Sequence, residues 1–337
     1  MLIEQNISLL PFNTFHINAS ANLFANINSM EDAREIVKQK LPEKHATLLL
    51  GGGSNVLFTK NFNGLVLKNN LLGKEIVKET DEHVFVKAQS GEVWHEFVLY
   101  CIAKNYGGLE NLSLIPGSVG ASPIQNIGAY GAEIKDTFYE LEALHLNEGY
   151  TKTFSLSECN FGYRESVFKH DLKGQYFITS VTFKLSKKPK FRTDYGQIQT
   201  ELEKMKVTEL SVKAISDAVC SIRRSKLPDP AQIGNAGSFF KNPVISNEQY
   251  SELKGLFPDI SAYPAEKNTK IAAGWLIEKA GWKGKTFGEY GVHKNQALVL
   301  VNYGGATGDQ IYNLSSEIIA SIEKMFGITL EREVNMI

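Results

Sequence analysis

Cysteine is scarce in this chain and badly spaced for chemistry: Cys101, Cys159 and Cys220 are the three among 337 residues. A disulfide framework or thiolate metal site needs pairs or a Cys-x-x-Cys spacing; neither is present, which suits a reducing compartment. Cys101 and Cys220 fall on apolar faces of expected helices, where a small buried thiol is the plain reading. Neither sign of charge is in excess. With 36 Lys and Arg against 37 Asp and Glu, the formal net charge is −1. No global field attracts nucleic acid, and any anionic ligand must be met by local Lys and Arg. Long apolar runs are missing too: the aliphatic stretch at 48–50 ends at three glycines, far short of a membrane span. The opening MLIEQN lacks a basic segment followed by an apolar one. No signal peptide and no membrane partner are therefore expected, and a cytoplasmic location follows.

What is present is ordinary globular patterning, 43% apolar and 22% charged, in a chain long enough for two or three lobes. Helical spacing covers 29–41, with Ser29 and Asp32 placed as a capping box. Strands are expected at 47–50, 65–67, 84–88, 137–146, 176–185 and 296–301, with a hairpin-type turn at 147–149. Trp94, Val98 and Cys101 mark one helix, stopped by Gly107-Gly108. Val212, Ile215, Val219 and Ile222 form the stripe of another at 211–222. Further helices are expected at 247–256, 270–280 and 309–326, the last stopped by Gly327. Strands and helices mix without a βαβ rhythm, so the class is α+β. The lobe boundary is placed between the Lys-rich crossover at 187–190 and about residue 205.

Three stretches carry chemistry. Gly51-Gly52-Gly53-Ser54-Asn55 follows a strand, where glycines let a phosphate approach successive backbone N–H groups. No Gly-Lys-Ser/Thr follows and no third glycine opens a helix, so it is neither a Walker loop nor the dinucleotide fingerprint. The second stretch, IPGSVGASPIQNIGAYG at 115–131, is small-residue chain with little to bury inside a well-patterned lobe. Its low charge argues against disorder and leaves backbone lying close to a large ligand. Two such loops suit a dinucleotide whose diphosphate needs many N–H donors. The third is GNAGSFFKNP at 234–243, where Ser238 sits between glycine and aromatics. A nucleophilic serine belongs on a Gly-x-Ser-x-Gly elbow, absent here, so Ser238 is better suited to deliver a proton than to attack. There is no HExxH or other ligand spacing; His95 and His293 are read as packing or surface residues, and no metal is assigned.

The GGGSN turn, IPGSVGASPIQNIGAYG, NFGYRESVFK, KLPDP, GNAGSFFKNP, KIAAGWLIEKAG and LEREV occur in this order. Together they make the chain resemble the UDP-N-acetylenolpyruvoylglucosamine reductase family over nearly its whole length. GNAGSFFKNP with QNIGAYG is highly specific, whereas the GGGSN turn is shared with other flavoproteins. TDYG at 193–196, carrying Tyr195, matches the subclass with a mobile tyrosine loop over the substrate. The resemblance implies an FAD-binding lobe of the vanillyl-alcohol-oxidase type with two small subdomains (PCMH-type, residues 1–200). A C-terminal α/β substrate-binding domain (201–327) and a C-terminal segment (328–337) complete it. It implies FAD as cofactor, NADPH as co-substrate, UDP-N-acetylglucosamine enolpyruvate as substrate, and a monomer acting in peptidoglycan precursor synthesis. By motif match, Ser238 is the proton donor, Arg164 the catalytic arginine and Glu333 the catalytic acid residue. Cofactor contacts fall on Gly51, Gly52, Gly53, Ser54, Asn55, Pro116, Gly117, Ser118, Gly120, Ala121, Ser122, Gln125, Asn126, Gly128 and Ala129. Substrate contacts fall on Tyr195, Lys226, Asn242, Tyr263, Lys283 and Gln296.

Each role has a plainer rival on residue type alone. Arg164 can be a surface ion pair with Glu165, Glu333 a solvated face, Tyr195 a core tyrosine and Lys226 a cation at a helix C-terminus. Two whole-protein alternatives also stand beside the reductase. A flavin oxidase of the same superfamily predicts rapid reoxidation in air, and a non-catalytic nucleotide-binding module predicts a colourless protein.

Overall fold

A computed structural model describes Met1–Ile337. The chain divides into two compact units that interleave in sequence. The first comprises Met1–Ile7, Ala21–Gly52 and Asn63–Ser225; the second comprises Ser8–Ser20, Gly53–Phe62 and Lys226–Ile337. The linear boundary expected between 187 and about 205 therefore falls inside the first unit. The physical reason is the helix Val212–Lys226. Ile215, Val219 and Ile222 of its stripe pack with Ile198 and Leu202, while Val212 joins the main core of the first unit.

Two sheets build the first unit. A four-stranded sheet runs Ile3–Ser8, Ser20–Ile27, Phe62–Asn69, Thr47–Leu50 in spatial order. Its last pair is parallel, with Leu50 opposite Lys68. The helix Met30–Lys38 covers it, opened by Ser29 and Asp32, each bonding the other's backbone N–H as the capping box requires. Ala33 and Ile36 of that helix enter a core with Ala25, Ile27, Leu65 and Leu67.

The five-stranded sheet runs Thr151–Ser155, Phe138–His145, Tyr176–Ser186, His83–Gln89, Lys74–Glu79. The turn at 147–149 leads into Thr151–Ser155, not directly to Tyr176–Ser186; Phe138–His145 pairs antiparallel with both. Tyr176–Ser186 is central and nearly all buried, so its polar Thr179, Ser180 and Thr182 are covered along with the apolar residues, and only Lys184 is exposed. The helix Trp94–Ala103 lays Trp94, Phe97, Val98 and Cys101 on this sheet, and the Trp94 indole N–H donates to Leu112 O at 2.9 Å.

The second unit holds two small antiparallel sheets: Val244–Ile245, Asn268–Ile271, Ala262–Ala265, and Thr286–Phe287, Tyr290–Val292, Leu300–Asn302. Its helices are Asn247–Leu256, Ala273–Lys279 and Gly308–Phe326. Residues 270–271, expected in a helix, belong to a strand because Lys270 pairs with both Tyr263 and Val244. The strand expected from 296 begins at Leu300, since Val299 N–H turns back onto Gln296 O at 3.1 Å. Gly308–Phe326 ends as read, at Gly327 with φ +64. Asn335–Met336 pairs parallel with Val56–Leu57. No helix is long and apolar enough to cross a membrane.

Candidate active site

In the first unit the two glycine-rich loops lie against each other. A Cβ on Gly52 would come within 3.1 Å of Gly117 Cα, and one on Gly51 within 2.5 Å of Ser118 Oγ. Backbone bonds hold the second loop in place: Trp94 N–H donates to Gly117 O, Val119 N–H to Glu92 O, and Gly120 N–H to Ser90 O. Between them opens a cavity of about 70 Å³ lined by Leu50, Gly51, Asn69, Ser118, Gly120 and Ala121, among others. Small residues and bare backbone at its wall are what a flavin dinucleotide needs to approach N–H donors closely. Ser122 and Asn126 are occupied by the chain itself. The Ser122 hydroxyl donates to Val119 O at 2.7 Å. The Asn126 amide donates to Gly162 O and Glu133 Oε2, both at 3.0 Å, and accepts from Lys135 N–H. Both side chains are buried and already bonded within the chain.

That use of Asn126 explains where Arg164 stands. Asn126 grips Gly162, and Ser166 Oγ donates to Ile124 O at 2.6 Å, so the Gly162–Ser166 turn is stapled onto the second loop. Arg164 sits at φ +58 in that turn, with its Nη1 3.4 Å from where a Gly128 Cβ would lie. A non-glycine residue held in the left-handed region is strained, and such strain gathers at functional sites. Arg223 adds a second guanidinium nearby. It donates to Leu114 O at 3.2 Å, and burial first, then the neighbouring Arg164, lowers its pKa. Sequence reasoning missed Arg223; Ser-Ile-Arg-Arg-Ser-Lys offered only a charged helix end. Glu165, the rival partner for Arg164, meets His170 at 2.7 Å and Lys169 at 3.5 Å. Tyr195 is 50% exposed, which removes its core reading.

In the second unit Ser238 is fixed from both sides. Asn235 is buried; its Oδ1 accepts from Gly237 N–H at 2.9 Å, and its Nδ2 donates to Ile233 O at 2.8 Å. Gly237 at φ +70 then delivers Ser238. Beyond it, Phe239 N–H donates to Leu298 O, and Phe239 O accepts from Glu333 N–H at 2.8 Å. Phe240 bridges Arg332, and Lys241 meets Glu331 through both backbone and side chain. The GSFFK and LEREV segments thus lie antiparallel, with the Glu333 backbone against Phe239, the residue after Ser238. Asn55 of the GGGSN turn anchors the same patch, donating to Glu333 O at 3.2 Å and accepting from Asn335 at its own carbonyl. Arg332 turns away, its guanidinium bonded to Ser315 and Ser316 at 2.7 Å.

The expected substrate residues of this unit group only in part. Asn242 Oδ1 accepts from Ala273 N–H at 2.9 Å, and Gln296 Oε1 lies 3.5 Å from where a Gly274 Cβ would stand, so both meet the first turn of Ala273–Lys279. Tyr263 pairs with Lys270 on the adjacent hairpin. Lys283 pairs with Glu278 at 2.9 Å, and exposed Lys226 closes the helix Val212–Lys226.

The UDP-N-acetylenolpyruvoylglucosamine reductase of Flavobacterium johnsoniae is 52% identical over 339 residues, covering 100% of both chains. The chain belongs to the UDP-N-acetylenolpyruvoylglucosamine reductase family. Family members of the same name from Amoebophilus asiaticus and Pseudomonas putida are 48% and 47% identical, over 100% and 99% of this chain and 100% and 98% of theirs. The model of this family's C-terminal domain matches residues 229–337, and an FAD binding domain model matches 21–155. The crystal structure of UDP-N-acetylenolpyruvylglucosamine reductase from Thermus caldophilus superposes with a TM-score of 0.70 at 20% identity, covering 100% of this chain and 99% of that one. At that identity the likeness speaks for the reductase fold, an α+β architecture.

Proposed function

We propose that this member of the family reduces UDP-N-acetylglucosamine enolpyruvate to UDP-N-acetylmuramate with NADPH, using FAD held by the first unit and substrate held largely by the second. The reading is of a monomeric cytoplasmic enzyme of peptidoglycan precursor synthesis, with no nucleic-acid or membrane partner. The observation that supports the residue roles is the Phe239–Glu333 backbone bond, which holds the segments that carry Ser238 and Glu333 side by side.

The chemistry that bound FAD supplies is hydride transfer to the enolpyruvyl double bond, the hydride coming from NADPH. Negative charge then develops on the carbon beside the carboxylate and spreads into its oxygens. Arg164, a planar and permanent charge, meets those oxygens, and Glu333 either donates there, if burial keeps it protonated, or orders a proton relay. Removing one such preorganised donor costs roughly 3–4 kcal/mol of barrier. Ser238, held by Asn235 and Gly237, passes its proton to the charged carbon. Lys226 is assigned to the diphosphate, and Tyr195, Asn242, Tyr263, Lys283 and Gln296 to the rest of the UDP-sugar.

An anaerobic visible spectrum tests this. A flavin band that bleaches with NADPH and returns on adding UDP-N-acetylglucosamine enolpyruvate supports the reading. Return only on admitting air supports an oxidase, and absence of any flavin band after incubation with FAD overturns the proposal.

A further inference from the structure

Two Tyr-Gly dipeptides, far apart in sequence, cover each other in the first unit. Gly131 has φ +78, and a Cβ there would lie 3.2 Å from Tyr195 Cβ and 3.4 Å from the root of its ring. Gly196 has φ +69, and a Cβ there would lie 3.6 Å from Tyr130 Cδ1. Each glycine thus leaves room for the other dipeptide's tyrosine, and each stands in a conformation that L side chains rarely adopt.

A set of side-chain bonds surrounds this pair. The Asn111 amide nitrogen donates to Tyr130 O at 2.9 Å and to Arg192 O at 3.0 Å. Both partners are carbonyls, acceptors only, so the nitrogen must face them. Asn111 is 3% exposed, which shields both bonds from water. Arg192 returns the link from the outside: its Nη1 donates to Gly131 O at 3.1 Å and to Asp136 Oδ2 at 2.5 Å. All but the bond to Asp136 engage backbone carbonyls on either side of the Tyr130-Gly131/Tyr195-Gly196 contact. Residues 191–194 lie in no helix or strand, so ladder bonds do not do this work.

We propose that Asn111 and Arg192 are positioning residues for Tyr195, clasping its segment to the glycine-rich loop so that the half-exposed ring is presented to the UDP-sugar. This rests on the reading of Tyr195 as a substrate contact. Asn111 carries the larger share, because its bonds are buried and its removal strands two carbonyls. The Arg192–Asp136 pair has side chains 54% and 29% exposed, so solvent screens it.

The test is a double-mutant cycle on FAD-loaded protein, reading Kd and KM for UDP-N-acetylglucosamine enolpyruvate alongside kcat and FAD content. Asn111→Ala is expected to weaken substrate binding about 5- to 50-fold, and Arg192→Ala about 2- to 5-fold, with FAD content retained. Arg192→Lys restores part of the loss. The deciding comparison is with Tyr195→Ala: on that background Asn111→Ala adds nothing further. Unchanged affinity in Asn111→Ala, or losses that simply add, overturn the proposal. Should Asn111→Ala fail to hold FAD, the same cycle with Arg192→Ala decides. If Tyr195→Ala alone binds substrate as the parent does, the clasp falls with the Tyr195 assignment. The reductase reading is then still judged separately by its two spectral half-reactions.

Discussion

Gly120 offers the sharpest test of the cofactor loop, because its intolerance is steric and not conformational. A Cβ added there would stand 2.5 Å from Ser90 Cβ, 3.1 Å from Ser90 O and 3.2 Å from Ser90 Cα. Carbon atoms prefer roughly 3.5–4.0 Å, so something must move by about 1 Å. Ser90 is fully buried and cannot yield: its N–H donates to Thr179 O, its carbonyl accepts from Gly120 itself, and its hydroxyl accepts from Asn69. The loop moves instead, drawing Gly117 and Ser118 away from Gly51 and Gly52. Overpacking of this kind costs about 1–3 kcal/mol. For a unit of this size that lowers Tm by roughly 2–12 °C. If the strain is relieved only with the loop displaced, FAD affinity falls by about 5- to 150-fold. The assay is the ratio of flavin to protein absorbance after gel filtration, with thermal melts at fixed FAD. Gly255→Ala is the control: it lies in the helix Asn247–Leu256 with nothing within 4 Å, and should be neutral or slightly stabilising. If Gly120→Ala keeps full FAD and melts with the parent, the steric argument is wrong.

Ser238→Ala should bind FAD and substrate yet lose about 10²- to 10⁴-fold in kcat, seen as a flavin that bleaches with NADPH and recovers very slowly with substrate; normal turnover removes the proton-donor role. His95 accepts at Nδ1 from Leu114 N–H, and burial first, then Arg224 and Arg223 against the opposing Glu96, holds its pKa below the ordinary 6.5. Its neutral form is the folded one, so its contribution is present above about pH 6.5 and is lost as pH falls below that. His95→Asn should therefore flatten the acid side of a Tm–pH curve, and an unchanged curve counts against the assignment. Burial raises all three thiols, Cys159 to about 12, so native protein at pH 8 should resist iodoacetamide and label only on unfolding; rapid native labelling contradicts this.

Elements with strong local patterns were legible from residues alone. The Ser29–Asp32 capping box, the Trp94 stripe and the Gly327 stop all stand where their chemistry requires. Thr151–Ser155 was not seen, because it buries a single residue, Phe154, and so shows no alternation. Lys270 looked helical from its C-terminal neighbours, while its pairing with Tyr263 and Val244 decided its state. The interleaving of the units was invisible for a related reason: an apolar stripe reports that a face is covered, not by what. In the site, glycine runs pointed to the loops, and family order pointed to Ser238, Arg164 and Glu333. The asparagines that tie the neighbouring segments down, Asn235 at Gly237, Asn126 at Gly162 and Asn111 at Tyr130 and Arg192, gave no signal, since a buried asparagine is recognised only by the groups it meets.

The interleaving also sets a schedule for synthesis. Segments 8–20 and 53–62 carry Leu9, Phe15, Ile17, Leu57 and Phe58, all buried in the second unit. Their partners come much later: Asn235 bonds Thr14, and Asn335 reaches Asn55 across a separation of 280 residues. At about 5–20 residues per second, the ribosome needs roughly 15–60 s to cover that distance. Throughout that interval the two early segments are apolar chain without a core, open to chaperones and proteases. Nascent chains arrested before residue 226 should be cut within 8–20 by a protease that spares the same bonds in the finished protein.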